Sequence, residues 1–329
     1  MIVDTHAHLV APPELYAHRA ALQSSNGYHA SADPKITDER LRASGEQCLA
    51  LMDEVGTDIQ FLSPRPYQLG HSDDSAKVVD LWVRANNDTI ARQVAMFPHR
   101  LRGVAALPQS PSTEPSQWTN ELRRCVTDHG FVGALLNPDP GEGRGDLPAL
   151  GDPYWYPVYE ALVELEIPAL IHSAGCRNQR ESYTGHFITE ESIGILSVLD
   201  SDVLDRFPTL QLIFSHGGGS VPYQIGRWRA LDWRHDKNSG GFDQKLRRLY
   251  FDTVLYNVES LALLFQIVGP DRCLFGTEKP GTGSTRHPET GVWLDDVRRL
   301  IESVEFLSEA DRTALYFDNV KAVYQRAGL

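Results

Sequence analysis

Eight short apolar runs, separated by stretches with helical patterning, restrict the fold more than any other feature of this chain. They are "MIVDTHAH" (1–8), "DIQFLSP" (58–64), "LRGVAALP" (101–108), "FVGALLNP" (131–138), "IPALIHS" (167–173), "LQLIFSH" (210–216), "LYFDTV" (249–254) and "RCLFGTE" (272–278). Near-continuous apolar strands alternating with helices imply a parallel sheet covered on both faces, because such strands have no solvent side to keep polar. Eight units of this kind predict an α/β protein with a (β/α)8 TIM barrel, and a doubly wound open sheet is the runner-up. The long stretch 9–57 predicts an inserted segment after strand 1. No repeat, low-complexity tract or linker divides the 329 residues, so one domain is expected over 1–329.

The ends of these runs differ from their bodies. Read at the C-terminal tips, they supply His6 and His8, Arg65, Asn137, His172, His216, Asp252 and Glu278. Alternate side chains of a strand share a face, so His6 and His8 point the same way. In a barrel all such tips converge on one end, where the loops build the active site. One tip histidine is more often a structural residue. Three histidine-bearing tips and a carboxylate favour a metal site, with His6, His8, His172 and Glu278 as the candidate ligands. Imidazole and carboxylate hold Zn²⁺, Mn²⁺ or Fe²⁺ while leaving a position for water, which then ionises near neutral pH. One ion is expected, Zn²⁺ by prior frequency. His216, in "FSHGGG", would sit beside it as a ligand or as a proton-transferring base, and the glycines after it permit close backbone approach. Glu278 carries two readings, ligand through one oxygen and base through the other.

Arginines at such a face would hold a carboxylate substrate. Arg65 lies between two prolines in "SPRP", where its guanidinium can form a bidentate fork, and Arg227 follows the glycine run. Tyr183, or else His186, in the loop after strand 5 would donate a hydrogen bond to a substrate oxygen. A net charge of −13, from 31 basic and 44 acidic residues, argues against general binding of nucleic acid or anionic membrane. Four cysteines without CxxC spacing, no signal-like start and no run of 18 apolar residues predict a reduced, cytoplasmic protein.

"DTHAH", "IHSAG", "SHGGGSVPYQIGRW" and "LFGTEKPG", in this order, resemble the amidohydrolase superfamily, in the branch that contains aminocarboxymuconate-semialdehyde decarboxylase. The decarboxylases of that branch carry aspartate at the strand-8 tip, where this chain has Glu278. Glutamate there is typical of 4-oxalomesaconate hydratase and of zinc-dependent meta-cleavage product hydrolases. "SPRPYQL" and "EKPGTGST" read closer to the second group. The resemblance therefore implies hydrolysis of a C–C bond in an enol-oxo dicarboxylate from aromatic catabolism, with hydration of a C=C bond as the alternative and decarboxylation behind both. It also implies a homodimer or higher oligomer. Two-metal relatives use a strand-4 lysine, and "LLNPDP" offers none.

Overall fold

In the computed structural model the described residues are 1–28, 31–145, 147–235 and 241–329. Eight parallel strands follow chain order around a single sheet: β1 (Val3–His8), β2 (Ile59–Ser63), β3 (Leu101–Ala106), β4 (Gly133–Leu136), β5 (Ala169–Ile171), β6 (Leu212–Phe214), β7 (Tyr250–Asp252) and β8 (Cys273–Leu274). All eight expected runs hold a strand. The open-sheet alternative fails at the seam, where Thr5 N donates to Phe275 O at 2.8 Å and Glu278 N to His6 O at 2.7 Å, joining the first strand to the residues after the last. The sheet is a TIM barrel.

Helix ends follow from local chemistry. Thr37, Ser75, Ser182 and Asn257 each accept a backbone N–H three residues on, which satisfies one of the free donors of a first turn. Gly56 closes the helix Asp38–Val55 with φ of +75°, a conformation open to a residue without Cβ. The expected insertion after β1 contains a helix of its own, Pro13–Ser24, before the crossover helix; its residues 29–30 lie outside the described residues.

The barrel interior is filled by Val3, Phe61, Val104, Leu135, Leu170, Ile213 and Leu274, one or more from nearly every strand. At the N-terminal end the C-terminal segment closes this core with Val320, Val323 and Tyr324, and the Tyr324 ring meets Phe61 edge-on at 4.8 Å. That plug seals one end and leaves the other, where the tips converge, for chemistry. Among the described residues no helix is long and apolar enough to cross a membrane. Tyr324 is 1% exposed. Tyr324→Ala is therefore expected to cost about 3–5 kcal/mol of stability, read as a lowered urea midpoint, with the metal cluster at the far end unchanged.

Candidate metal centre

Three imidazoles at the strand tips are each anchored through Nδ1 by a different part of the sheet. His6 Nδ1–H donates to Asp252 Oδ2 at 2.6 Å, His8 Nδ1–H to Ser63 Oγ at 2.9 Å, and His172 Nδ1–H to the Ser173 carbonyl at 2.6 Å. Each ring is left with its lone pair on Nε2. His6 Nε2 and His8 Nε2 face each other at 3.4 Å, and His8 Nε2 is 3.6 Å from Glu278 Oε1. One donor atom from each of His6, His8, His172 and Glu278 lies within 4.8 Å of the others. His172 Nε2 is buried without a hydrogen-bond partner, an unusual state for a polar atom in a closed interior.

Protonation states agree with this geometry. Burial pushes His8 down to about 4 and His172 well below the usual imidazole range, so both present lone pairs at neutral pH. Burial alone would raise Glu278, but the contact with His8 and the nearby imidazoles hold it well below the ordinary carboxylate value. Three inward lone pairs and one ionised carboxylate form a donor set that fits a divalent cation. Glu278 divides its oxygens: Oε1 faces His8, whereas Oε2 accepts the Tyr256 hydroxyl at 2.8 Å.

His216 lies beside this set. Its ring centroid is 4.9 Å from that of His172 and 5.7 Å from that of His6, and Phe187 stacks on it at 5.9 Å. Nδ1 contacts both oxygens of Glu191, at 3.0 and 2.9 Å. Burial would lower His216, yet the Glu191 carboxylate outweighs it and pushes His216 up to about 10; burial raises Glu191 itself. The His216 side chain is 12% exposed, against 0% for His6 and 2% for His8, so it is the most exposed of these imidazoles. The backbone around it is unusual. His216 and Glu278 have φ of +51° and +57°, the left-handed region that side chains rarely adopt and that concentrates at functional sites. Gly217 and Gly218 also have positive φ, and a Cβ on either would come within 2.7 Å of Leu255 or Phe251. The glycine run thus serves close packing against β7 and the residues after it.

Arg65 is half-buried after β2; its charge contributes to the lowering of His8, and it lies against the Tyr16 hydroxyl. Tyr183 opens the helix Tyr183–Leu199, is 46% exposed, and packs on Tyr67 and Phe187 with centroids at 5.8 and 5.5 Å, which places it outside the cluster with Phe187 between. His186 is buried in a separate contact with Asp139 and Glu181. Arg227 is exposed on the helix Ile225–His235, and among the described contacts its side chain makes none with the cluster. Five residues of the site were not singled out from sequence: Ser63, Phe187, Glu191, Tyr256 and Asp4, which accepts from His6 N at 3.1 Å. Asp4 was within reach, because strand alternation places it with His6 and His8.

The sequence model of the family described as Amidohydrolase matches residues 3–326. A 2-keto-4-carboxy-3-hexenedioate hydratase from a Sphingobium species is 36% identical over 334 residues, which covers 99% of this chain and 96% of that protein. The crystal structure of 4-oxalomesaconate hydratase from Rhodopseudomonas palustris superposes with a TM-score of 0.88 at 34% identity, covering 99% and 96%. A dihydroxybenzoic acid decarboxylase from a Polaromonas species, solved with manganese and 2-nitroresorcinol bound, gives a TM-score of 0.68 at 25% identity over 98% and 96%. With its fold, its tip histidines and its full-length matches in accord, this chain belongs to the amidohydrolase family.

Proposed function

We propose that the protein is a metal-dependent hydro-lyase that adds water across a C=C bond conjugated to a ketone in an oxo-polycarboxylate. The observation that carries this reading is Glu278, a glutamate at the β8 tip facing the imidazoles in a chain 36% identical over 99% of its length to a hydratase. Read from sequence, C–C hydrolysis stood first and hydration second; the full-length hydratase relatives support the reverse order.

His6, His8, His172 and Glu278 would hold the ion, Zn²⁺ or Mn²⁺ by donor chemistry. When bound, a divalent ion supplies Lewis acidity, which makes water nucleophilic near neutral pH without a strong base. A 2-keto-3-ene polarised through its ketone accepts hydroxyl at the carbon β to the carbonyl and a proton at the α carbon. Arg65, half-buried after β2 and close enough for its charge to lower His8, would hold one substrate carboxylate through its guanidinium and turn the alkene toward the cluster. His216 would move the proton at Nε2, since Nδ1 is committed to Glu191, whose carboxylate favours the imidazolium. Glu278, held through Oε2 by Tyr256, keeps Oε1 toward the imidazoles instead of rotating away. Tyr183 and Arg227 would act from the rim, with Tyr183 in contact with Phe187.

Product analysis by mass spectrometry tests the reaction. With 2-keto-4-carboxy-3-hexenedioate the expected result is one product heavier by one water; two smaller fragments would assign C–C hydrolysis, and release of CO2 would assign decarboxylation. Variants test the roles separately. His172→Ala and Glu278→Ala are expected to lose stoichiometric metal and turnover together, by elemental analysis and initial rates. Glu191→Gln should keep the metal but lower kcat by about 10²-fold and move the basic limb of its pH profile to lower pH, because His216 loses the carboxylate that raises its pKa.

A further inference from the structure

A second histidine–carboxylate cluster lies outside the barrel axis, between the loop after β4 and the start of the helix Tyr183–Leu199. His186 is fully buried, Asp139 is 8% exposed and Glu190 is half-buried. His186 and Glu190 are four apart on the helix, the spacing that brings two side chains to one face. One donor atom from each of Asp139, His186 and Glu190 lies within 4.8 Å of the others.

The hydrogen bonding of His186 leaves a nitrogen aimed into this cluster. Nδ1 lies 3.2 Å from Glu181 Oε1, and a neutral ring donating there carries its lone pair on Nε2. Burial lowers His186 but the contacts with Asp139 and Glu181 raise it, so a cation at Nε2 would take the place of a proton. Nε2 is buried without a hydrogen-bond partner and stands 3.3 Å from Asp139 Oδ2. A lone pair facing a carboxylate oxygen at that distance is repulsive unless a proton or a cation lies between. Asp139 is fixed in place, since Gly141 N donates to Oδ1 and Gly143 N to Oδ2. Charge is also unbalanced: among the described residues no lysine or arginine forms an ion pair with Asp139, Glu181 or Glu190, leaving three carboxylates around one imidazole.

We propose that Asp139, His186 and Glu190 form a second divalent-cation site, of the Mn²⁺ or Zn²⁺ type, separate from the cluster at the strand tips. One imidazole nitrogen and two carboxylate oxygens suit those borderline ions, and Glu181 on Nδ1 is the kind of outer carboxylate that orients a ligating histidine. A cation there would fasten the loop after β4 to the first two turns of the helix whose neighbouring residues, Phe187 and Glu191, contact His172 and His216.

The test counts ions per chain. The native chain and Asp139→Asn/Glu190→Gln are stripped with a chelator, reloaded with excess Mn²⁺, desalted and assayed by elemental analysis and electron paramagnetic resonance. The variant is expected to bind one Mn²⁺ fewer than the native chain, whatever the tip cluster binds. His186→Gln, a single neutral change, is expected to show the same deficit and serves where the double variant fails to fold. Equal stoichiometry in native and variant chains would overturn the proposal and leave a proton as the bridge between His186 and Asp139.

Discussion

The carboxylate of Asp4 is the contact on which the arrangement of this molecule rests. It lies at the seam of the barrel, fully buried, and accepts four hydrogen bonds: from His6 N at 3.1 Å, Gln60 Nε2 at 2.9 Å, Thr277 N at 3.1 Å and Thr277 Oγ1 at 2.6 Å. Burial raises its pKa and the hydrogen bonds oppose that rise, which is how a carboxylate is tolerated inside a protein. Gln60 Nε2 also donates to Lys279 O, so strands β1 and β2 and the residues after β8 meet at one point. Closing the sheet and placing His6 and Glu278 opposite each other are therefore a single event. The seam has few backbone bonds of its own, and the acid supplies what the ladder lacks.

Above the seam, one helix organises the rest of the site. Residues 186 and 190 of Tyr183–Leu199 turn toward the loop after β4, whereas 187 and 191 turn toward the histidines. The acidic residue that holds His216 and the aromatic ring that covers it thus come from a surface element and not from a strand. The division of labour is physical: strand tips are rigid and suit ligands whose positions must agree to within tenths of an ångström, while a helix packed across the mouth can control access and protonation.

The strands were legible because burial on both faces leaves near-continuous apolar runs, and because the change from apolar body to polar tip is visible residue by residue. The same logic brought His6, His8, His172 and Glu278 forward, and the structure gathers them. Glu191 could not be read in this way. In "TEESIG" it looks like any solvated helix position, and its partner depends on how the helix rotates over β6, which the local sequence does not encode. Tyr256 follows β7 in an ordinary apolar stretch, and only the fold turns its hydroxyl to Glu278. Arg227 drew attention through its closeness in sequence to the glycine run; five residues, 220–224, carry the chain from that run into the helix Ile225–His235, where Arg227 is exposed. The C-terminal plug was missed because short amphipathic segments at a terminus carry too weak a period to distinguish a cap on the core from a surface turn.

The anchoring of the three imidazoles has one more consequence. Each Nδ1 is held by a different region, Asp252 at the end of β7, Ser63 at the end of β2 and the carbonyl just beyond β5, so no contiguous fragment of the chain contains a finished coordination sphere. The first half of the barrel would own His6 and His8 but lack Asp252, the group that aims His6, and the second half would lack both of those histidines. Affinity for the ion is in this sense a property of the closed ring, and it emerges all at once when the first and last strands find each other.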